Sequence, residues 1–277
     1  MVKDKNSKIS KFELVPKLRD GIDNMNIGMM QPSFMPWLGY FELIDKSDTF
    51  IFLDDFQFSL QSYHQRNRLF VNKGQVDWYS VPINKTLSYQ MPLNKAQINE
   101  DIPWRIKSWK RIKQNYGKAK YFKAYEAAIE QWLLSTYSHL AEQNIAFIKM
   151  ICEIIGITRV FLKSSELASQ KQRSERVVEL LRWSNAHYYY CANGSFDYML
   201  QDQVFPVNNI EVLFQNFNTK AYPQVGSPDN FVPYLCVLDA LFNIGQDDTF
   251  ALIKGGTTEW ATWEMMVSKK AEEKGHE

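Results

Sequence analysis

Two short apolar runs, IGMM at residues 27–30 and TFIFL at 49–53, bracket a segment in which Leu38, Phe41 and Ile44 recur at helical spacing. No other feature limits the fold as much. A brief apolar run without alternation, bounded by breakers, suits a strand covered on both faces. The first strand is therefore expected over 26–30 and the second over 49–53. The spacing between them predicts a helix through Asp45, with Pro36 in its first turn and Ser47–Asp48 closing it. Strand, helix and strand in so short a span predict a parallel βαβ unit with a right-handed crossover.

The same alternation returns later. Residues 159–162 predict a strand ending at KSSEL, 174–183 a helix with Val177, Leu180 and Leu181 inward, and 187–191 a strand. A short helix capped by Ser195 follows, then a strand over 210–214. A helix is predicted over 231–242, with Pro233 in its first turn and Gly245 past its end. Between the two halves, 68–72 and 76–83 predict a hairpin around Lys73–Gly74, and 84–103 a loop. Residues 104–153 read as helix, broken near 116–117 and around 138–144, with Gly156 as the stop. Together these predict a doubly wound, mainly parallel α/β sheet of the Rossmann-like, nucleotidylyltransferase-like kind. The expected organisation is a polar lead-in over 1–25, a single α/β domain over 26–260 with a helical insertion at about 103–155, and a polar tail over 261–277.

The totals exclude several classes. A chain of 277 residues with 45% hydrophobic content can bury a substantial core. A net charge of +1 without concentrated basic residues argues against a nucleic-acid partner. Cys152, Cys191 and Cys236 are far apart and form no CxxC, which argues against a disulfide framework or zinc site and fits a reducing compartment. The first 20 residues lack the apolar core of a signal peptide, and no run has the length of a membrane span. A soluble, cytoplasmic protein is the expectation. HExxH, Walker A, GxSxG and GxGxxG patterns are missing, so the zinc-protease, P-loop, serine-hydrolase and dinucleotide readings lack support, and no metal site is expected.

In an open parallel sheet, ligands bind outside the carboxyl ends of the strands. Each predicted strand here ends in polar residues. Gln31 and Ser33 follow the first, and Asp54, Asp55 and Gln57 the second. Lys163, Ser164 and Ser165 follow the third, Ser195 and Asp197 the fourth, and Gln215 the fifth. This convergence predicts a pocket, against the plainer reading that loops are polar wherever they begin. Asp54 and Asp55, adjacent on an extended segment, are expected on opposite faces, one toward the pocket and one capping a turn. Where nucleotidylyltransferases and class I synthetases carry HxGH, this chain reads Trp37-Leu38-Gly39-Tyr40. The glycine would let a ligand approach the backbone, but both histidines are missing; packing aromatics with Gly39 relieving their crowding are the alternative. In YHQRNRL, Arg66 and Arg68 would share a strand face with His64, joining two phosphate-binding forks to a general base. Surface charge entering a hairpin is the plainer account.

The stretch MQPSFMPWLGYFELIDKSDTFIFLDDFQFSLQSYHQRNRL resembles the opening signature of the WbqC-like family, a bacterial group associated with O-antigen and other surface-polysaccharide gene clusters. The resemblance continues through VPINK, ITRVFLKSSEL, YYYCANGSFDYM, VLFQNFNTKAYPQ and FVPYLCVLDALFNIG, and so spans about 27–246. Matching positions early in the chain are Gln31, Pro32, Pro36, Gly39, Tyr40, Asp54, Asp55, Arg66, Asn67 and Arg68. Later ones are Ser165, Asp197, Tyr198, Tyr222, Gln224 and Asp239. Two departures are Tyr63, where the pattern often has Trp, and His64, which is not a fixed feature.

The resemblance implies a protein of lipopolysaccharide O-antigen biosynthesis. For some members it implies a glycyl or other aminoacyl transferase acting on the amino group of a nucleotide-linked amino sugar. On that reading Arg66 and Arg68 hold phosphates, and Trp37, Tyr40 and Tyr63 stack on base or sugar. Asp54, Asp55 and His64 would do the acid–base chemistry, while Asn67, Tyr198, Tyr222 and Gln224 belong to the substrate-binding set. The implied partners are that sugar nucleotide and an amino acid or acyl donor, with ATP and Mg²⁺ as candidate cofactors and a homo-oligomer as a candidate assembly. A nucleotidylyltransferase-like enzyme making a sugar nucleotide, and a non-catalytic sugar-nucleotide-binding module, stay open beside it.

Overall fold

The computed structural model describes residues 25–275 apart from 73 and 228, so all but the last residue of the expected lead-in lies outside the described residues. Strand β1 (Met25–Met30), helix α1 (Leu38–Lys46) and strand β2 (Thr49–Phe52) form the unit that the apolar runs predict. β1 and β2 pair in parallel, from Ile27 opposite Thr49 to Met30 opposite Phe52. Strands β3 (Arg66–Asn72) and β4 (Gln75–Ser80) make a separate antiparallel hairpin. A short helix α2 (Lys85–Ser88) and the long helices α3 (Trp104–Tyr116), α4 (Phe122–Leu134) and α5 (Leu140–Ile154) follow. The chain then returns to the sheet with β5 (Val160–Lys163), α6 (Arg173–Trp183), β6 (Ala186–Cys191), α7 (Ser195–Asp202) and β7 (Glu211–Phe214). It ends with α8 (Val237–Lys254), β8 (Ala261–Thr262) and α9 (Trp263–Gly275).

The sheet order is β5-β2-β1-β6-β7-β8, and only β8 runs antiparallel to its neighbour. From β1 the chain moves outward on one side to β2 and β5, then crosses back to place β6 and β7 on the other. Side-chain alternation along the strands divides the apolar residues between two cores. On β2, Phe50 and Phe52 face one core with α1, the helices α3–α5 and α8. Ile51, with Ile27 and Met29 of β1, faces the other, under α6, α7 and α9. Both faces are thus covered by helices, which is why these strands are continuous apolar runs rather than alternating ones.

Apolar stripes build the insertion. Trp109, Ile112 and Tyr116 on α3, Tyr125, Ile129 and Trp132 on α4, and Phe147, Ile148 and Ile151 on α5 are all buried in the same core as α1. Helix α1 itself lies close on β1 because position 28 is glycine. A Cβ there would stand 2.9 Å from the Leu43 carbonyl oxygen and 2.9 Å from the Phe50 ring. Gly28→Ala should therefore destabilise the chain by roughly 1–3 kcal/mol through overpacking. Chemical denaturation reads this directly, and an unchanged midpoint would show that the helix can slide away without cost.

Three local expectations are corrected. The helix predicted over 231–242 begins only at Val237, after Cys236 as its cap, because the chain turns at Tyr234 (φ 59°) and Cys236 bridges Trp37. The Cys236 amide donates to the Arg68 carbonyl and the Val237 amide to the Pro36 carbonyl. Gly245, at φ 82° and ψ 178°, breaks the helical conformation as expected, and a second helical segment carries α8 on to Lys254. Ser195 is the first residue of α7 and Gly194 occupies the cap position. The tail over 261–277 is more than a polar helix: Ala261–Thr262 adds an edge strand, and Trp263 packs on Phe196, Phe205 and Phe214.

Candidate functional site

The ends of β1, β2 and β5 open into a cleft of about 600 Å³. Gln31 from the first strand end, and Asp55, Phe56 and Gln57 from the second, form one wall. Gln90 and Pro92 contribute from the loop before the insertion. Ser169, Gln170, Lys171, Gln172, Arg173 and Arg176, at and before the start of α6, form the opposite wall. The amide-rich lining offers paired donors and acceptors, while Phe56 adds one flat apolar surface. A hollow of about 570 Å³, around Arg182, Asn185, His187 and Asn209, lies at the starts of β6 and β7, away from the strand ends where such sheets bind ligands.

Asp54 and Asp55 do not point apart. β2 ends at Phe52, so the two residues sit in a turn where strand alternation no longer applies. Both carboxylates reach the Ser164 hydroxyl, Asp54 at 3.2 Å and Asp55 more closely. Asp54 is 3% exposed and also accepts from the Ser165 amide at 2.9 Å and the Ser165 hydroxyl at 2.7 Å. It is a clasp between the ends of β2 and β5. Asp55 is half-buried and accepts from Arg176 Nη2 at 2.8 Å. Arg176 is buried and also donates to Glu179 and to the carbonyls of Ser164 and Leu167, each at 2.6 Å. Asp54 is filled by its donors, and Asp55, with one donor on each oxygen, keeps a lone pair for one further hydrogen bond but cannot by itself supply a Mg²⁺ site, so the pair does not fit that ion.

His64 lies in the turn before β3 rather than on its face, so it is not aligned with Arg66 and Arg68. The Ser59 amide donates to its Nδ1 at 3.4 Å, which leaves the ring proton on Nε2, 3.0 Å from Gln31 Oε1. Burial pushes the imidazole down to about 4, so it is neutral near pH 7 and holds Gln31 in place. Gln31 Nε2 in turn donates to the Gln57 carbonyl at 3.4 Å. Asn144 of α5 donates to the carbonyls of Pro32 and His64, at 3.0 and 2.8 Å, so the insertion fixes this wall from behind.

The remaining sequence candidates are placed elsewhere. A Cβ on Gly39 would stand 2.4 Å from the Trp37 ring, so the glycine makes room for that indole, which packs edge-on against Phe217 and Tyr234. Tyr40 is buried against Phe41 and Phe50 and donates to the Gln31 carbonyl at 3.2 Å. Ser33 donates to the same carbonyl at 3.5 Å. Lys163 and Ser165 are exposed at the end of β5. Asp197 pairs with Lys270, and burial pushes the Tyr198 phenol up to about 12. Gln215 is buried and donates to Glu42 at 2.7 Å and to the Gly39 carbonyl at 2.8 Å. Tyr222 and Gln224 donate to the buried carboxylate of Asp239, at 2.8 and 2.7 Å, and Tyr116 joins them at 2.8 Å. Asn67 donates to the Met35 carbonyl at 2.8 Å. Arg66 and Arg68 stand on the hairpin and Tyr63 in the turn before it, all outside the cleft lining.

Sequence reasoning missed Arg176, Asn144 and Gln90. Arg176 precedes the inward Val177 and has Glu179 three residues on, which is the one local sign of a paired buried arginine. Asn144 falls inside an apolar helical stripe, a position that asks for an explanation. Gln90 had no signal.

The fold and cleft define an α/β protein with helices on both faces of a mostly parallel sheet and a polar, small-molecule-sized site at its carboxyl edge. Residues 31–250 match the WbqC-like protein family, and the chain belongs to it. Membership suggests a role in polysaccharide biosynthesis. The chain is also 26% identical over 227 residues to an uncharacterized protein of Mycobacterium tuberculosis, covering 80% of this chain and 94% of that one. No solved structure matches it. Among the described residues, no helix is long and apolar enough to cross a membrane.

Proposed function

We propose that this protein acts in surface-polysaccharide biosynthesis as an acyl or aminoacyl transferase, glycyl-type, on the amino group of a nucleotide-linked amino sugar. One observation carries the reading: a half-buried carboxylate, Asp55, stands among the amides of a 600 Å³ cleft, with Arg176 and Ser164 fixing its position. Amides and a carboxylate suit the alternating donors and acceptors of a sugar ring. Gln31, Gln57 and Gln90 are the groups for its hydroxyls, and Phe56 for its apolar face.

Asp55 would hold the sugar's amine beside the activated carbonyl of a thioester or acyl-adenylate donor. The amine nitrogen attacks the carbonyl carbon, the C–N bond forms, and the bond to the thiolate or phosphate leaving group breaks. The proton released from nitrogen passes to Asp55. Arg176 keeps that carboxylate aimed, and His64 acts only through Gln31.

Asp55→Asn keeps the shape and removes the proton acceptor. It should lower turnover by about 10²–10⁴-fold, the usual worth of general acid–base catalysis, while sugar-nucleotide binding changes far less. Mass spectrometry of UDP- and dTDP-amino sugars incubated with glycyl or acyl donors measures the product. Turnover by Asp55→Asn at the wild-type rate would sink the assignment. A non-catalytic binding module is the second reading, favoured by the complete engagement of Asp54 and His64 in structural hydrogen bonds. It requires binding without product in the same assay.

A further inference from the structure

Among the described residues, Arg105, Arg111, Arg159, Arg173 and Arg176 each meet a carboxylate at 3.0 Å or closer. Arg66 and Arg68 meet none. They stand two apart on β3, so their side chains leave the same face of the hairpin. Trp78 pairs with Arg68 across the strands, and the Arg66 guanidinium lies 4.2 Å from its ring centre. The nearby acid, Asp77, alternates to the other face of β4 and is held by Arg111 at 2.8 Å. The Nε atoms of both Arg66 and Arg68 are buried with no hydrogen-bond partner among the described residues.

A buried donor without an acceptor is costly, and native chains rarely leave one. Both arginines are only half-buried and meet no carboxylate among the described residues, so the outer N–H edges of two neighbouring forks are left for an acceptor that comes from outside. Guanidinium forks match oxyanions, and stacking one fork on an indole leaves its N–H edges available. Positions two apart on a strand are about 6.6 Å apart, so each fork can take a different phosphoryl group. Beside them the Tyr63 ring packs against Trp78 at 5.7 Å yet remains 51% exposed, a flat surface open to another ring.

We propose that this hairpin face is a nucleoside-diphosphate site, with the phosphates on Arg66 and Arg68 and the base on Tyr63. It is separate from the sheet-edge cleft, whose lining includes none of these residues. It does not require the cleft to bind a sugar, so the two readings can fail independently.

The test is calorimetric titration of the full chain with UDP, ADP and inorganic pyrophosphate. All three should bind. Arg66→Gln and Arg68→Gln should each weaken every probe at least about tenfold, in line with the strength of charged hydrogen bonds. Tyr63→Ala should weaken the nucleotides by about 5–100-fold, the range of base–aromatic stacking, and leave pyrophosphate unchanged. Arg182→Gln, on an exposed arginine of α6, is the control and should change nothing. If a glutamine variant melts early, Arg68→Lys retains the charge and should bind more tightly than Arg68→Gln. Absence of binding at millimolar probe, or wild-type affinity in both glutamine variants, overturns the site. Nucleotide affinity indifferent to Tyr63→Ala overturns the nucleoside part of the assignment.

Discussion

Arg176→Met should lower the stability of the protein by roughly 3–5 kcal/mol, the loss expected when one member of a buried ion pair is removed. For a chain of this size that is a fall in Tm on the order of 10 °C. Methionine fills most of the volume but leaves Asp55, Glu179 and the carbonyls of Ser164 and Leu167 without their donor. Arg176→Lys should recover only part of the loss, because a single ammonium cannot serve four acceptors in the geometry of a guanidinium. Thermal melts of the three proteins decide it. A Met variant as stable as the parent would mean that water replaces the arginine, and that the cleft wall is softer than its hydrogen bonds suggest. The same variant should also lose ligand affinity in the cleft, since Asp55 would no longer be aimed.

The second large effect is a pH dependence. Asp239 is buried, and that burial pushes its carboxyl up to about 6 despite donors from Tyr222, Gln224 and Tyr116. The unfolded carboxyl titrates near its ordinary value of 3.8. Between those two pH values the folded chain holds a proton that the unfolded chain has lost, so stability falls as pH rises through the window. A gap of about two pH units corresponds to about 3 kcal/mol. Asp77, Glu126, Glu179 and Asp202 are held low by their partners and tilt the profile the other way. The comparison to make is therefore between the parent and Asp239→Asn. Relative to the variant, the parent should gain stability as pH falls from about 6 to about 4, by no more than about 3 kcal/mol. Parallel profiles from denaturant titrations across that range would show that the carboxyl is not perturbed.

The sheet was legible where the physics is local. The runs at 27–30 and 49–53 could only be buried strands, and both lie within a residue or so of where they are observed. The helical run over 104–153 was readable too, although its second break falls at 135–139 rather than around 138–144. What escaped depended on partners distant in the chain. β8 has two residues, too few to show a period, and exists because β7 offers an edge. The start of α8 is displaced because Arg68 and Pro36 claim the amides of Cys236 and Val237. At the site, three of the strand-end residues, Gln31, Asp55 and Gln57, line one cleft. The strand-end rule did not bring Gln215 there, whose amide serves the buried Glu42, and Tyr222 and Gln224, named through the family resemblance, serve the buried Asp239. No local pattern distinguishes an amide that waits for a ligand from one that satisfies an internal acid.

The crossover from β2 to β5 carries the hairpin and the insertion helices, so the Asp55–Ser164 contact joins residues 109 apart. Closing so long a loop adds little to the equilibrium cost, since that cost grows only with the logarithm of length. It weighs on the rate, because the closure entropy is lost before the distant contacts form. β1, α1 and β2 can assemble early from neighbours, whereas β5 docks only after the insertion has drawn its ends together. Closure entropy therefore favours an order in which the β1–α1–β2 nucleus forms before the cleft, whose walls come from both ends of the long crossover.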